Sequence, residues 1–251
     1  MAAANMRKPC LGIIWPDDGQ AGPDYEVPRL EEWLARESLG ERLQVAIGFS
    51  RAARYHTRAD LHVTGSLEVL LPVARDLAQR GSRALMWACT SGSFIGGLAW
   101  ARRQAQALAD AGGVPASSTT LAIIEAARAL GAERLDVLGA YPEPVTRAFV
   151  ECLEDAGFAV ETVEWLDAAE GAVSFSLDIV AEVRRFSDRL AARVRSAPAH
   201  PLVIPDTAIN TLEHTSALES AAARPVITAN WATLNQGLEM LGLGGLPRRG
   251  Q

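Results

Sequence analysis

The sequence is short of cysteine. Its 251 residues hold three, Cys10, Cys89 and Cys152, far apart in the chain. Such isolated thiols make neither a disulfide framework nor a paired metal knuckle. Cys10 and Cys152 fall in apolar patterns and read as core residues, since free cysteine packs as a small hydrophobe. Long apolar runs are also lacking: no stretch reaches the length of a membrane-spanning helix. Met1 to Lys8 carry no apolar core of the secretory-leader type, so a reduced, cytoplasmic setting is the default expectation. Positive charge is in deficit. Lys and Arg total 24 against 30 Asp and Glu, a net charge of −6, which argues against a general nucleic-acid binder. An anionic small substrate stays compatible, because backbone N–H groups hold anions whatever the net charge. No His, Asp or Glu spacing resembles a metal site. Gly92, Gly96 and Gly97 lack the dinucleotide fingerprint. Neither a metal nor another cofactor is expected.

What the chain does have is core. Hydrophobic residues make up 49% and charged residues 22%, which excludes global disorder. Apolar runs alternate with amphipathic stretches throughout. Strands are expected at 11–15, 43–49, 84–88, 114–116, 134–139, 159–165, 201–205 and 225–228. Helices are expected at 29–37, 64–80, 97–111, 121–130, 145–156, 177–195, 211–223 and 230–241. Thr64 and Asn230 read as caps and Gly81 as a stop. Pro16-Asp17-Asp18-Gly19 reads as a turn, 167–175 as a surface loop, and Arg248, Arg249 and Gln251 as a polar tail. The polar stretch 51–62 has no clear element; its His56 and His62 are placed to cover a pocket, whereas His214 reads as a surface residue. The alternation is the pattern of an α/β fold with parallel sheets.

The two halves echo each other. Gly12 to Asp17 matches Val137 to Glu143, the Cys89-Thr90 strand end matches Asp206-Thr207, and Val114 to Gly131 matches Arg224 to Gly242. Three echoes in one order imply two pseudo-symmetric parallel-sheet α/β subdomains with the active site in the cleft between them. The first half is 10–118 plus 229–251; the second is 119–228.

Two strand ends stand out. The run Ala84 to Ala88 stops at Cys89-Thr90-Ser91-Gly92-Ser93, and Pro201 to Pro205 stops at Asp206-Thr207. Ligands of open α/β sheets bind at the carboxyl ends of strands, so Cys89 and Asp206 are expected to face each other across one site. Neighbouring N–H groups would favour a Cys89 thiolate. Partial burial would raise the Asp206 pKa enough for acid work; a plain helix-cap role for Asp206 is the alternative. Thr90, Ser91 and the N–H groups of 91–93 are candidate donors to a developing oxyanion, with Thr207 and Ala208 as the matching set.

Ala88-Cys89-Thr90-Ser91-Gly92-Ser93, Val114-Pro115-Ala116-Ser117-Ser118-Thr119, Tyr141 after an apolar strand, and Pro205-Asp206-Thr207-Ala208 followed by Thr211-Leu212-Glu213 resemble the aspartate/glutamate racemase superfamily. The match is to its branch of maleate cis–trans isomerases and arylmalonate decarboxylases, and it spans Gly12 to Gly242. The resemblance implies catalysis without cofactor or metal, by two groups approaching a small carboxylate from opposite faces. It implies that Tyr141 donates its hydroxyl to a substrate carboxylate and that Pro16 and Asp17 line the pocket, Asp17 being suited to a cationic substrate group. Cys89 follows the isomerase pattern. Asp206 departs from it, because the second position is ordinarily Cys; a Pro-Asp-Thr-Ala motif looks more like the members tied to ectoine utilisation. The expected activity is a cofactor-independent isomerase or racemase, acting by proton transfer or by addition of the Cys89 thiol to a double bond that is then free to rotate. The alternatives are an arylmalonate-type decarboxylase with Cys89 as proton donor, and a small-molecule binding protein without catalysis. No nucleic acid or membrane partner is expected, and the helical surfaces leave room for a homodimer.

Overall fold

The structure, a computed structural model, describes residues 8–19, 25–192 and 200–246. Among these, the strands form two four-stranded parallel sheets. The first holds β1 (Cys10–Asp17), β2 (Gln44–Arg51), β3 (Ala84–Trp87) and β4 (Ala116–Ser118) in the order β2-β1-β3-β4. The second holds β5 (Arg134–Gly139), β6 (Ala159–Trp165), β7 (Leu202–Ile204) and β8 (Val226–Thr228) in the order β6-β5-β7-β8. The orders are the same, so the echo seen in the sequence is an echo in topology. The helices before β5 are α1 (Leu30–Arg36), α2 (Arg58–Thr64), α3 (Leu67–Gln79), α4 (Thr90–Phe94), α5 (Leu98–Gly112) and α6 (Thr119–Ala129). They are followed by α7 (Glu143–Asp155), α8 (Gly171–Phe175), α9 (Ile179–Ala191), α10 (Thr215–Ala222) and α11 (Ala229–Met240).

Strands covered on both faces read as near-continuous apolar runs, and alternate side chains go to opposite faces. Leu11, Ile13, Trp15 and Met86 of the first sheet join Leu135, Val137, Val203 and Ile227 of the second in one central core. On the outer face of the first sheet, Ile14, Leu85 and Trp87 meet Leu70 and Leu77 of α3 and Leu108 of α5. On the outer face of the second, Leu138, Leu202 and Ile204 meet Val183 and Phe186 of α9 and Leu218 of α10. Helix α11 packs against both α6 and the first sheet. The approach is close: a Cβ at Gly237 would lie 2.4 Å from Leu11 Cδ2.

Several sequence expectations shift. β1 continues through Pro16 to Asp17. Pro16 is tolerated because β3 peels away there: the Ala88 N–H to Ile14 carbonyl bond is the last on that side, and the missing Pro16 N–H had no ladder partner to lose. Thr64 ends a helix instead of starting one. Thr57 caps α2, accepting the Asp60 N–H at 3.1 Å, and α3 begins after Ser66. Gly81 does stop that segment, with φ +95°. Asn230 lies inside α11, whose cap position is Thr228. The 167–175 stretch carries α8 and a fully buried Ser174, so it is more than surface loop. Cys152 is core, and Cys10 is half-buried. The polar tail and the end of the helix expected to run to Arg195 lie outside the described residues.

Candidate active site

Cys89 sits two residues past β3, at the N-cap of α4. Its Sγ accepts the Gly92 N–H at 3.3 Å and lies 3.8 Å from Ser91 Oγ. The turn is held from behind. Ser93 Oγ is 2.8 Å from both the Cys89 and Thr90 carbonyls and pairs with Thr120 Oγ1 at 2.6 Å. Gln104 Nε2 donates to the carbonyls of Gly65 (2.6 Å) and Gly92 (3.0 Å). Gly65 has no room for a side chain, since its Cβ would stand 2.1 Å from the Gly92 carbonyl oxygen.

Asp206 occupies the equivalent place, two residues past β7. Its Oδ1 accepts the Ala208 N–H at 2.9 Å, while Oδ2 is buried without a hydrogen-bond partner. The loop after Asp206 is pinned by a buried carboxylate from the other half of the fold. Glu26 accepts the N–H groups of Thr211 (2.9 Å) and Leu212 (2.7 Å) and the Asn230 amide (2.7 Å). Asn230 also donates to the Thr207 and Ile209 carbonyls, so its side chain is a bracket for this loop.

One cavity of about 70 Å³ opens between the two strand ends. At roughly 10–15 Å³ for one water, it has room for a small acid. Cys89, Ser91, Asp206, Thr207, Ala208 and Pro16 all line it. Thr90, Tyr141 and Asp17 do not. Thr90 is fully buried and its carbonyl accepts the Ser93 and Thr120 hydroxyls. Tyr141 donates its O–H to the Pro205 carbonyl at 2.5 Å, so that hydroxyl is committed to the protein. Asp17 Oδ1 accepts the Gly19 N–H at 2.8 Å in a tight turn, and the neighbouring Asp18 reaches the cavity wall instead. No group of His, Cys, Asp and Glu among the described residues could hold a metal ion. No described helix is long and apolar enough to cross a membrane.

The arylmalonate decarboxylase family profile matches residues 60–249, well over half of the chain. The chain belongs to the arylmalonate decarboxylase family. Solved structures agree on the fold. A variant of the maleate isomerase Iso from Pseudomonas putida, with maleate, is 22% identical at a TM-score of 0.78, covering 94% of this chain and 93% of that one. A liganded double mutant of arylmalonate decarboxylase is 20% identical at a TM-score of 0.79, covering 96% and 97%. A mutant of the Nocardia farcinica maleate cis–trans isomerase with a covalently bound succinylcysteine intermediate is 20% identical at a TM-score of 0.76, covering 94% and 93%. No curated protein matches the chain in sequence. Family and fold together make it an enzyme of the aspartate/glutamate racemase superfamily.

In this member of the arylmalonate decarboxylase family the electrostatics depart from the sequence expectation at one point. Backbone N–H groups do reach the Cys89 sulfur, but burial outweighs them and pushes the thiol up to about 11. The resting group is therefore a thiol, not a thiolate. Burial also raises the Asp206 carboxyl above its ordinary value, opposed by the charge of His56, the nearby Ser174 hydroxyl, the Ala208 N–H and the Tyr141 phenol. Tyr141 itself is raised well above the usual phenol range, first by burial and then by Asp206 and Cys89. Tyr25 is raised by burial, then by Asp18, Asp206 and Glu170.

The polar stretch 51–62, read in the sequence as without a clear element but with His56 placed to cover a pocket, contains a strap, 52–57. It crosses from the first half to the loop before α8. The Ala53 N–H donates to Thr64 Oγ1 at 2.9 Å, Arg54 pairs with Glu170 at 2.5 Å, and Tyr55 bridges to Glu170. The His56 N–H donates to the Ala169 carbonyl at 2.7 Å. Its ring Nδ1 is 2.9 Å from the Ala168 carbonyl, and the ring meets Tyr141 edge-on at 4.9 Å. Arg54 and His56 both line the cavity, as do Trp15 and Tyr25. The only local signal was a polar stretch with two histidines. Glu26 gave no signal at all.

Proposed function

We propose that the protein is a cofactor-independent isomerase or racemase that moves a proton at the carbon next to a carboxylate of a small substrate. The observation that carries this reading is the shared cavity, walled at its two strand ends by a thiol and a carboxylate. The two groups differ in the way such chemistry needs. With its pKa near 11, Cys89 rests protonated and serves as the acid. Asp206 is the base. Its carboxylate takes the α-proton, and the electron pair of that C–H bond moves into the substrate carboxylate as an enediolate. The Cys89 S–H then gives its proton to the opposite face of the carbon. The pair ends as carboxylic acid and thiolate, and the mirror-image substrate runs the same steps backwards. Ser91 and Thr207, which both line the cavity, are the donors this reading assigns to the enediolate oxygens.

The family membership favours a second reading. Loss of CO₂ from an arylmalonate leaves the same kind of enediolate, which the Cys89 thiol would protonate. The two are separated by measuring deuterium wash-in for a panel of small chiral carboxylates in D₂O, ectoine derivatives included, beside CO₂ release from phenylmalonate. Wash-in without CO₂ supports the racemase reading, and CO₂ release supports the decarboxylase. Cys89→Ala is expected to slow either reaction about 10²–10⁴-fold, the usual contribution of a positioned acid or base. Asp206→Asn is expected to slow the racemase by a similar factor. Normal turnover by both variants would overturn the assignment; binding without turnover in the unaltered protein would leave a ligand-binding protein.

A further inference from the structure

The proton-transfer reading leaves one need unmet. Cys89 and Asp206 are 5% and 4% exposed, so with substrate filling the cavity a proton taken from it must be carried from the cavity floor to the mouth. We infer that His56 is the proton relay between Asp206 and solvent. The inference rests on the reading of Asp206 as a base.

Three observations carry it. The ring lines the cavity and is half-buried, so it touches both the site and its mouth. Its Nδ1 is held 2.9 Å from the Ala168 carbonyl, which accepts an N–H only; the neutral ring therefore keeps its proton on Nδ1 and leaves Nε2 as the acceptor. The ring is also fixed in orientation, by the backbone bond to Ala169 and by edge contact with Tyr141, whose own O–H ends on Pro205, the residue before Asp206. The charged and titratable groups facing it or sharing its cavity are Asp206, Cys89, Asp18, Tyr25, Arg54, Glu170 and Tyr141. Arg54 stays protonated and is paired with Glu170. Tyr141 is committed to Pro205. Imidazole is the side chain that takes up and releases protons across neutral pH.

The step balances without any oxidant or second reactant. After turnover the Asp206 carboxylic acid passes its proton to Nε2. The imidazolium releases one proton to water at the cavity mouth, and Asp206 is again a carboxylate. Protonation of the Cys89 thiolate from solvent can use the same group in reverse.

The first test needs no substrate. The His56 ring resonances are recorded by NMR at neutral pH in the unaltered protein, in Asp206→Asn and in Glu170→Gln. Asp206→Asn, on the shared cavity wall, should shift them by more than Glu170→Gln does. Ring resonances unchanged by Asp206→Asn overturn the relay. The second test uses whichever carboxylate of the panel shows deuterium wash-in. In His56→Asn, whose amide can still donate to Ala168, the substrate proton held on Asp206 should return to its own face of the carbon before it exchanges, so deuterium wash-in to recovered substrate per turnover falls at least tenfold. In His56→Ala, added imidazole should restore it. A merely structural histidine would change the rate without changing that ratio. Unchanged wash-in per turnover in an active His56→Asn protein refutes the relay alone. An unaltered protein that exchanges no substrate proton refutes the proton-transfer reading, whatever the NMR result.

Discussion

Gly65→Ala tests how the Cys89 turn is held. Gly65 closes α2 with φ −87° and ψ 6°, a conformation alanine adopts, so the backbone itself is not strained by the change. The obstacle is space. The new methyl would stand 2.1 Å from the Gly92 carbonyl oxygen and 2.9 Å from Gln104 Nε2. That is more than an ångström short of an ordinary contact, and the nearest atom belongs to rigid backbone. Overpacking of this kind costs about 1–3 kcal/mol. For a chain of this size that is a fall in Tm of about 2–12 °C. The displaced group matters for chemistry, because Gly92 supplies the N–H that meets the Cys89 sulfur. A shift of about 1 Å in a reacting group costs on the order of 10² in rate. Thermal melting, carboxamidomethylation of Cys89 followed by peptide mass spectrometry, and deuterium wash-in measure the three consequences. A variant that melts like the parent and keeps the parent's turnover would refute the claim that α2 sets the position of the thiol.

Carboxamidomethylation of Cys89 in the unaltered protein should be slow at neutral pH and should accelerate on approach to pH 11, because burial keeps the sulfur protonated; rapid labelling at pH 7 would contradict this. Glu26→Ala strips the acceptor from two backbone N–H groups and the Asn230 amide. The Asn230 amide keeps the Thr207 and Ile209 carbonyls; at about 1–3 kcal/mol for each of the two stranded backbone N–H groups, urea melts should show a loss of at least about 2 kcal/mol. Burial raises the Glu26 pKa in the folded state. Its contribution is therefore fullest below the ordinary carboxyl value and fades as pH rises through the raised one, so stability measured at falling pH should show a gain that Glu26→Gln lacks. Arg224→Met leaves Asp136 without the guanidinium that donates to it at 2.5 Å, with both side chains buried. Breaking such a pair from one side costs about 3–5 kcal/mol, and a melt shifted by much less would show that His200, 3.2 Å from Asp136, suffices alone.

The fold was legible because its strands are covered on both sides and so read as unbroken apolar runs with abrupt polar ends. The same abruptness exposed Cys89 and Asp206. Helix boundaries were less legible where two signals compete. Thr64 looks like a cap, but Thr57 caps the preceding helix and Gly65 ends it. A turn after β1 was visible, though it starts at Asp17 and not at Pro16, and which carboxylate turns into the cavity depends on the N–H bond that Asp17 accepts from Gly19. Glu26 was hidden, and His56 was visible only as a residue that could cover a pocket, for a different reason. Their partners lie more than a hundred residues away, in 168–169 and 211–230, and no local period records such a contact. The expectation of a Cys89 thiolate weighed nearby dipoles and left out desolvation, which turned out to be the larger effect.

The central core runs without a break from Leu11 and Met86 to Val203 and Ile227. Two lobes welded in this way cannot swing apart like the shells of a clam. Any widening needed to admit or release a ligand falls to what is laid across the opening, and the Arg54–Glu170 ion pair is a fastening there with its arginine half exposed. Traffic through the site should then respond to ionic strength, since salt loosens that fastening and leaves the weld untouched.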